Sequence, residues 1–256
     1  MGSSPAATTP TDAGPAALAA ISHGTSSSAG QAVVQALTDE ISRLAASDDA
    51  IGPVRTGHVD VQQPDIATTL GALDEGQGAV LVPLLLSAGF HVNVDMRDAV
   101  AEADRPTVIA GALGPDERLA AVLERRLTEA GADPQKDTVI LAAAGSSDSS
   151  AVDDVEATAR LLSDRLGNPV RAAYLSFAHP TVPEAIHEAQ KRAPERRVAI
   201  VSYLLAPGYF QGLLESRAAQ AGAVLVSQPL MHLAGGTPRV PEELPQIVLD
   251  RYHACV

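Results

Sequence analysis

Short apolar runs alternate along the chain with longer stretches in which apolar residues recur every three or four positions. The runs cover residues 18–21, 79–86, 107–113, 138–143, 171–177, 197–205 and 223–226. Each has strand length and most carry β-branched residues. A further strand is expected around 54–59. Between the runs, residues 31–44 place Val33, Val34, Leu37, Ile41 and Leu44 on one helical face, and 116–130 and 152–166 behave alike. Gly131 and Gly167 fall where those two helices need a C-terminal cap. Strand–helix alternation of this kind predicts an α/β fold of parallel sheets with helices on both faces.

The pattern repeats. Ile21-Ser-His-Gly-Thr-Ser-Ser-Ser-Ala29 resembles Ala142-Ala-Ala-Gly-Ser-Ser-Asp-Ser-Ser150, with Gly24 and Gly145 121 residues apart. The stretch 54–64 resembles 170–180, with Pro64 and Pro180 116 apart. The stretch 82–91 resembles 201–210, with Gly89 and Gly208 119 apart. Three segments in the same order at nearly constant spacing predict a duplicated unit. The expected boundaries are a tail over 1–15, a first domain over 16–133 and a second over 134–256.

In parallel α/β sheets ligands sit beyond the carboxyl ends of the strands. His23 follows the first strand, Asp60 follows or ends the second, and His91 follows the third after the turn Ser87-Ala88-Gly89. Two imidazoles and a carboxylate on one rim suit an open site for a borderline divalent metal, with positions left for substrate. The second half has Ala144, Ser176 and Phe210 at the matching places. One working site, in the first half, is therefore expected. The loop from Gly24 through Thr25 and Ser26 to Gly30 leads into a helix and could bind a phosphate or a carboxylate, or simply cap the helix. It is neither a P-loop nor GxGxxG. No GxSxG surrounds Ser26 or Ser27, so a serine hydrolase is not supported. His58 lies on a strand whose alternation leaves its face open. His179 and His187 flank an expected helix start, and His232 and His253 come late in the chain.

Composition narrows the classes. The net charge is −13, and the one cluster of Lys191, Arg192, Arg196 and Arg197 reads as a solvated helix end, so no nucleic-acid partner is expected. The single cysteine, Cys255, allows no intrachain disulfide, and the absence of CxxC excludes a thiolate zinc site or an iron–sulfur cluster within the chain. The first fifteen residues lack a positive segment followed by an apolar one, so they are expected to be a disordered tail rather than a signal peptide. No apolar run is long enough for a membrane span. The expected location is the cytoplasm. At 3% aromatic residues, the core must rely on Ala, Val, Leu and Ile.

Ser22-His23-Gly24-Thr25-Ser26, Asp60 with Pro64, the stretch Pro83-Leu-Leu-Leu-Ser-Ala-Gly-Phe-His-Val-Asn-Val-Asp95 and Gly111-Ala-Leu-Gly-Pro-Asp116 resemble the sirohydrochlorin chelatase family. These are the class II chelatases of siroheme and cobalamin synthesis, and the resemblance runs from residue 18 over nearly the whole chain. It implies two chelatase-like domains facing each other across a cleft that takes a tetrapyrrole. It implies His23 and His91 as the metal-binding and catalytic pair, with Asp60 where many relatives carry the longer Glu. The loops Gly24-Thr25-Ser26 and Ser87-Ala88-Gly89 are the expected substrate contacts. The implied reaction is lyase-type insertion of Fe²⁺ into sirohydrochlorin, with Co²⁺ insertion or a non-catalytic metal-delivery role as alternatives. The metal is substrate, and no ATP, nicotinamide or iron–sulfur cluster is expected. A monomer suffices for a complete cleft, and a homodimer stays open. Arg55, Arg97 and Arg171 are candidates for the substrate carboxylates without an assigned place.

Overall fold

The structure, a computed structural model, describes residues 14–87, 90–223 and 225–256, and leaves out the side chains of 90–93. The expected tail falls almost wholly outside the described residues, as do Ala88, Gly89 and the His91 imidazole.

The first half runs β1 (Ala17–Ser22), α1 (Ser28–Ala45), β2 (Val54–His58), α2 (Ile66–Gly71), β3 (Ala79–Pro83), α3 (Phe90–Glu102), β4 (Thr107–Ile109) and α4 (Glu117–Glu129). The second runs β5 (Thr138–Ala143), α5 (Ser149–Leu166), β6 (Val170–Tyr174), α6 (Val182–Arg192), β7 (Val198–Tyr203), α7 (Tyr209–Gln220) and β8 (Leu225–Val226). A hairpin of β9 (His232–Ala234) and β10 (Thr237–Arg239) and a last helix, α8 (Glu243–His253), close the chain. The strands order as β2-β1-β3-β4 and β6-β5-β7-β8, all parallel within each sheet. This is the predicted α/β architecture, built twice. Several strands are shorter than their apolar runs, because 84–86 and 204–205 leave the sheet and turn into loops. Gly167 is a left-handed C-cap as expected, whereas His187 lies inside α6 rather than beside its start.

The duplication extends to the backbone. Val61 and Phe177, 116 residues apart, both take positive φ, 66° and 61°. Each centres a three-residue turn closed by an N–H···O bond of 2.7 Å, from Gln62 to Asp60 and from Ala178 to Ser176. This γ-turn form is rare and strained, the more so around a β-branched valine. Gly24 and Gly145 also match, with φ of 92° and 90°. A Cβ on either would run into the carbonyl oxygen of Asp60 or of Ser176. Each half thus lays its second strand–helix loop directly on a glycine in its first.

The central strands β1, β3 and β7 are buried along their whole length and β5 in all but its first residue, Thr138, as strands covered on both faces must be. On β1, Ala17, Ala19 and Ile21 face a core local to the first half with α2 and α3. Leu18 and Ala20 face a larger core shared by both halves. Helices α1, α4, α5 and α8 fill that shared layer. Here the last helix of each half crosses over. Helix α4 packs on α5 and β7, while α8 packs on α1 and β3. The apolar spacing of α4, with Leu119, Val122, Leu123 and Leu127 buried, is therefore satisfied by the other half's sheet. Neither half covers its own sheet alone.

Candidate functional site

The carboxyl ends of the two sheets face each other across a cleft of about 370 Å³. One wall is Ser22 to Ser26 with Val61, the floor is Leu84 and Leu85 with Leu204 and Leu205, and the far wall runs from Ala206 to Phe210. A second cavity, about 200 Å³, shares those four leucines and continues past Ser87 to Gly145 and Ser146 of the second half.

His23 is exposed and stands in the first wall, directly after the end of β1. Its carbonyl accepts the N–H of Asp60 at 3.0 Å, and the Ser22 carbonyl accepts that of Val59 at 2.9 Å. The end of β2 is thereby zipped to the end of β1. Asp60 lies next to His23 along the backbone, but its Oδ1 accepts the following amide, from Val61, at 2.7 Å. Val61, not Asp60, lines the cleft. His91 belongs to the first turn of α3, with its imidazole outside the described residues. Among the described residues no three His, Cys, Asp or Glu side chains gather to hold a metal ion.

The loop over 24–30 is closely bonded to itself and to the next loop. Thr25 N–H donates to Gln62 Oε1 at 2.9 Å and Ser27 N–H to Thr25 Oγ1 at 3.1 Å. Ser27 caps α1 by accepting from Gly30 N–H at 3.3 Å. Of the three readings open for this loop, capping is the one these bonds carry out. Thr25 and Ser26 still line the cleft and offer hydroxyls to it. Arg55 is exposed and donates to the carbonyl of Val54, and Arg171 pairs with Glu188 on the outer edge of the second sheet. The described cleft lining includes neither Lys nor Arg.

His58, whose face the sequence left open, points inward. Its Nδ1 lies 2.8 Å from the Ser22 hydroxyl, which donates to it in the tautomer protonated on Nε2. Burial holds the imidazole pKa below its ordinary value of 6.5. As pH falls the unfolded chain binds this proton first. The stability contributed by neutral His58 is thus present above pH 6.5 and lost as pH drops from there through the lowered folded value. Urea unfolding at pH 7.5 and 5.5 is expected to show a loss for the native chain that is smaller in His58→Gln. Equal losses in both proteins would contradict this assignment.

Sequence reasoning missed the far wall. Tyr209 and Phe210 form an edge-to-face pair, centroids 5.4 Å apart at 74°, opposite the His23 loop. The available signal was an adjacent aromatic pair after Pro207-Gly208 in a chain short of aromatics.

The CbiX family model matches residues 17–130 and 138–230. A protein of Priestia megaterium described as sirohydrochlorin ferrochelatase is 32% identical over 142 residues, which is 52% of this chain and 53% of that protein. The chain thus matches about half the length of this curated relative. Among solved structures, SirB from Bacillus subtilis with Fe³⁺ superposes with a TM-score of 0.78 at 19% identity, covering 93% of this chain and 94% of that one. SirB of the subspecies spizizenii in complex with cobalt gives 0.67 at 17% identity over 93% and 94%. At these identities the structures establish a shared fold. No helix among the described residues is long and apolar enough to cross a membrane.

Proposed function

The chain belongs to the CbiX family, and from that premise we propose that it inserts a divalent metal ion into sirohydrochlorin, with the metal and the tetrapyrrole both as substrates. The observation that carries this reading is the position of His23. It directly follows a central strand, in the wall of an apolar cleft between two sheets, where the duplicate has Ala144.

Metallation exchanges two pyrrole N–H protons for one divalent cation. The protein must replace water on the ion, hold it against the ring and accept protons. Imidazole suits both tasks near neutral pH, since it ligates borderline ions and takes up protons there. We assign this work to His23, with His91 as its partner from the first turn of α3. We assign Asp60 an accessory part. Its carboxylate is tied through Oδ1 to the Val61 amide, which leaves the other oxygen to orient an imidazole or pass a proton on. Thr25 and Ser26 supply neutral donors to the substrate. The apolar leucine floor excludes water from the exchange, which strengthens each polar contact within the cleft.

Fe²⁺ is the proposed ion, following the activity named for the Priestia relative. Co²⁺ insertion is the second reading, favoured by the cobalt held by a structural neighbour and by donor types that accept either ion. Anaerobic incubation with sirohydrochlorin and each ion, followed by absorbance, decides between them. Metallation well above the spontaneous rate is expected, faster with Fe²⁺. Binding of metal without any acceleration would sink the enzyme reading and leave metal delivery.

A further inference from the structure

The chain has four tyrosines, three phenylalanines and no tryptophan. Tyr174, Tyr203 and Tyr252 are buried, as large rings in a small-residue core should be. Tyr209 is 77% exposed and Phe210 37% exposed, and both line the cleft. Burying an aromatic ring is favourable, so leaving Tyr209 mostly exposed and Phe210 partly exposed forfeits stabilisation that a ligand's face can recover. Their edge-to-face contact braces them against each other on the first turn of α7.

We propose that Tyr209 and Phe210 form an aromatic platform that grips the face of a planar conjugated macrocycle, while the His23 wall handles the metal. This inference rests on the chelatase reading and assigns the second half a share in it. At the position where the first half carries His91, the second carries Phe210. The duplicate thus replaces a metal-ligating imidazole with a phenyl ring that has no ligand atom. The described lining has no Lys or Arg, so beyond the neutral hydroxyls of Thr25 and Ser26 the hold these walls offer is to the ring plane. Conjugated rings stack on aromatic side chains in offset or edge-to-face arrangements, which adds attraction beyond area burial.

The spacing of platform and metal wall is fixed. Gly30, in the first turn of α1, packs against the Pro207 carbonyl, and a Cβ there would lie 2.7 Å from that oxygen and 2.9 Å from Thr25 Cγ2. The two walls therefore touch at their base beside Gly208, which precedes the aromatic pair, and open above it.

Metal-free sirohydrochlorin, titrated into the full chain and followed by its own absorbance, tests the platform. The double variant Tyr209→Leu/Phe210→Leu is expected to bind roughly tenfold more weakly, through the loss of two stacking contacts. KM should rise by a like factor while kcat at saturation changes less than twofold. The induced visible circular dichroism of the bound pigment should change as well. Tyr209→Phe should restore wild-type behaviour. If the double variant misfolds, Tyr209→Leu alone, at an exposed position, gives the same readouts with about half the logarithmic loss. Wild-type binding that the variants match in affinity and dichroism would overturn the platform alone. A wild-type chain that binds no tetrapyrrole would overturn the chelatase reading with it.

Discussion

A chain truncated after Arg239 is expected to lose the fold of its first half. Truncation removes α8, whose Leu244, Ile247, Val248 and Tyr252 are fully buried, and α8 packs on α1 and β3 of that half. Each side chain contributes about 1.5–3 kcal/mol by burial, so the four together approach the roughly 5–15 kcal/mol that holds a domain folded. Polar anchors go with them. The Tyr252 hydroxyl donates to the carbonyls of Ala16 and Ala50 at 2.5 and 3.2 Å, pinning the entry to β1. Arg251 donates to the carbonyls of Ala112 and Leu113, where the chain crosses between halves. Limited proteolysis of the truncated chain should cut first within residues 14–110, and the cooperative melt of the full chain should be lost. Melting within a few degrees of the full chain would show that the crossover is dispensable.

His23→Ala should reduce the metallation rate by about a hundredfold or more, the usual scale for losing a positioned proton acceptor, with the ion's contact to the imidazole lost besides. The fold should not notice. His23 is exposed, and Ala144 shows that the same strand end accepts alanine in the duplicate. The melting temperature should hold, and metal-free sirohydrochlorin should bind within a few-fold of wild type. An unchanged rate would move the chemistry elsewhere on the chain.

Much of the fold is legible in the order of residues. Apolar runs of strand length, helical spacing and the repeat of Gly24 as Gly145 predict two parallel sheets, because burial on both faces and a left-handed turn leave plain marks in a sequence. The crossover of α4 and α8 is not legible. An amphipathic helix states that one face will be buried without saying against which sheet, and Leu119 or Leu244 would satisfy either.

The candidate site divides in the same way. His23 and its replacement by Ala144 are visible from the repeat, since strand ends are where such folds bind ligands. The loop over 24–30 is ambiguous in sequence because the hydroxyls that bind an anion also cap a helix. In the structure Ser27 and Thr25 take up the loop's own amides. Asp60 is visible as a carboxylate at the right strand end, yet its bond to the Val61 amide depends on a turn whose positive φ nothing in Asp-Val-Gln announces. His58 illustrates the period-two limit. Alternation alone cannot say which face is inward until the Ser22 hydroxyl is found beside it. Tyr209 and Phe210 look like ordinary helix residues until the far wall is assembled.

The proposed site residues place one metal-handling site in the first half of the duplicated fold. Its most direct test is the stoichiometry of Co²⁺ bound at equilibrium by the full chain. One ion per chain is expected, lost in His23→Ala. Two ions per chain, or one ion retained after His23→Ala, would contradict it.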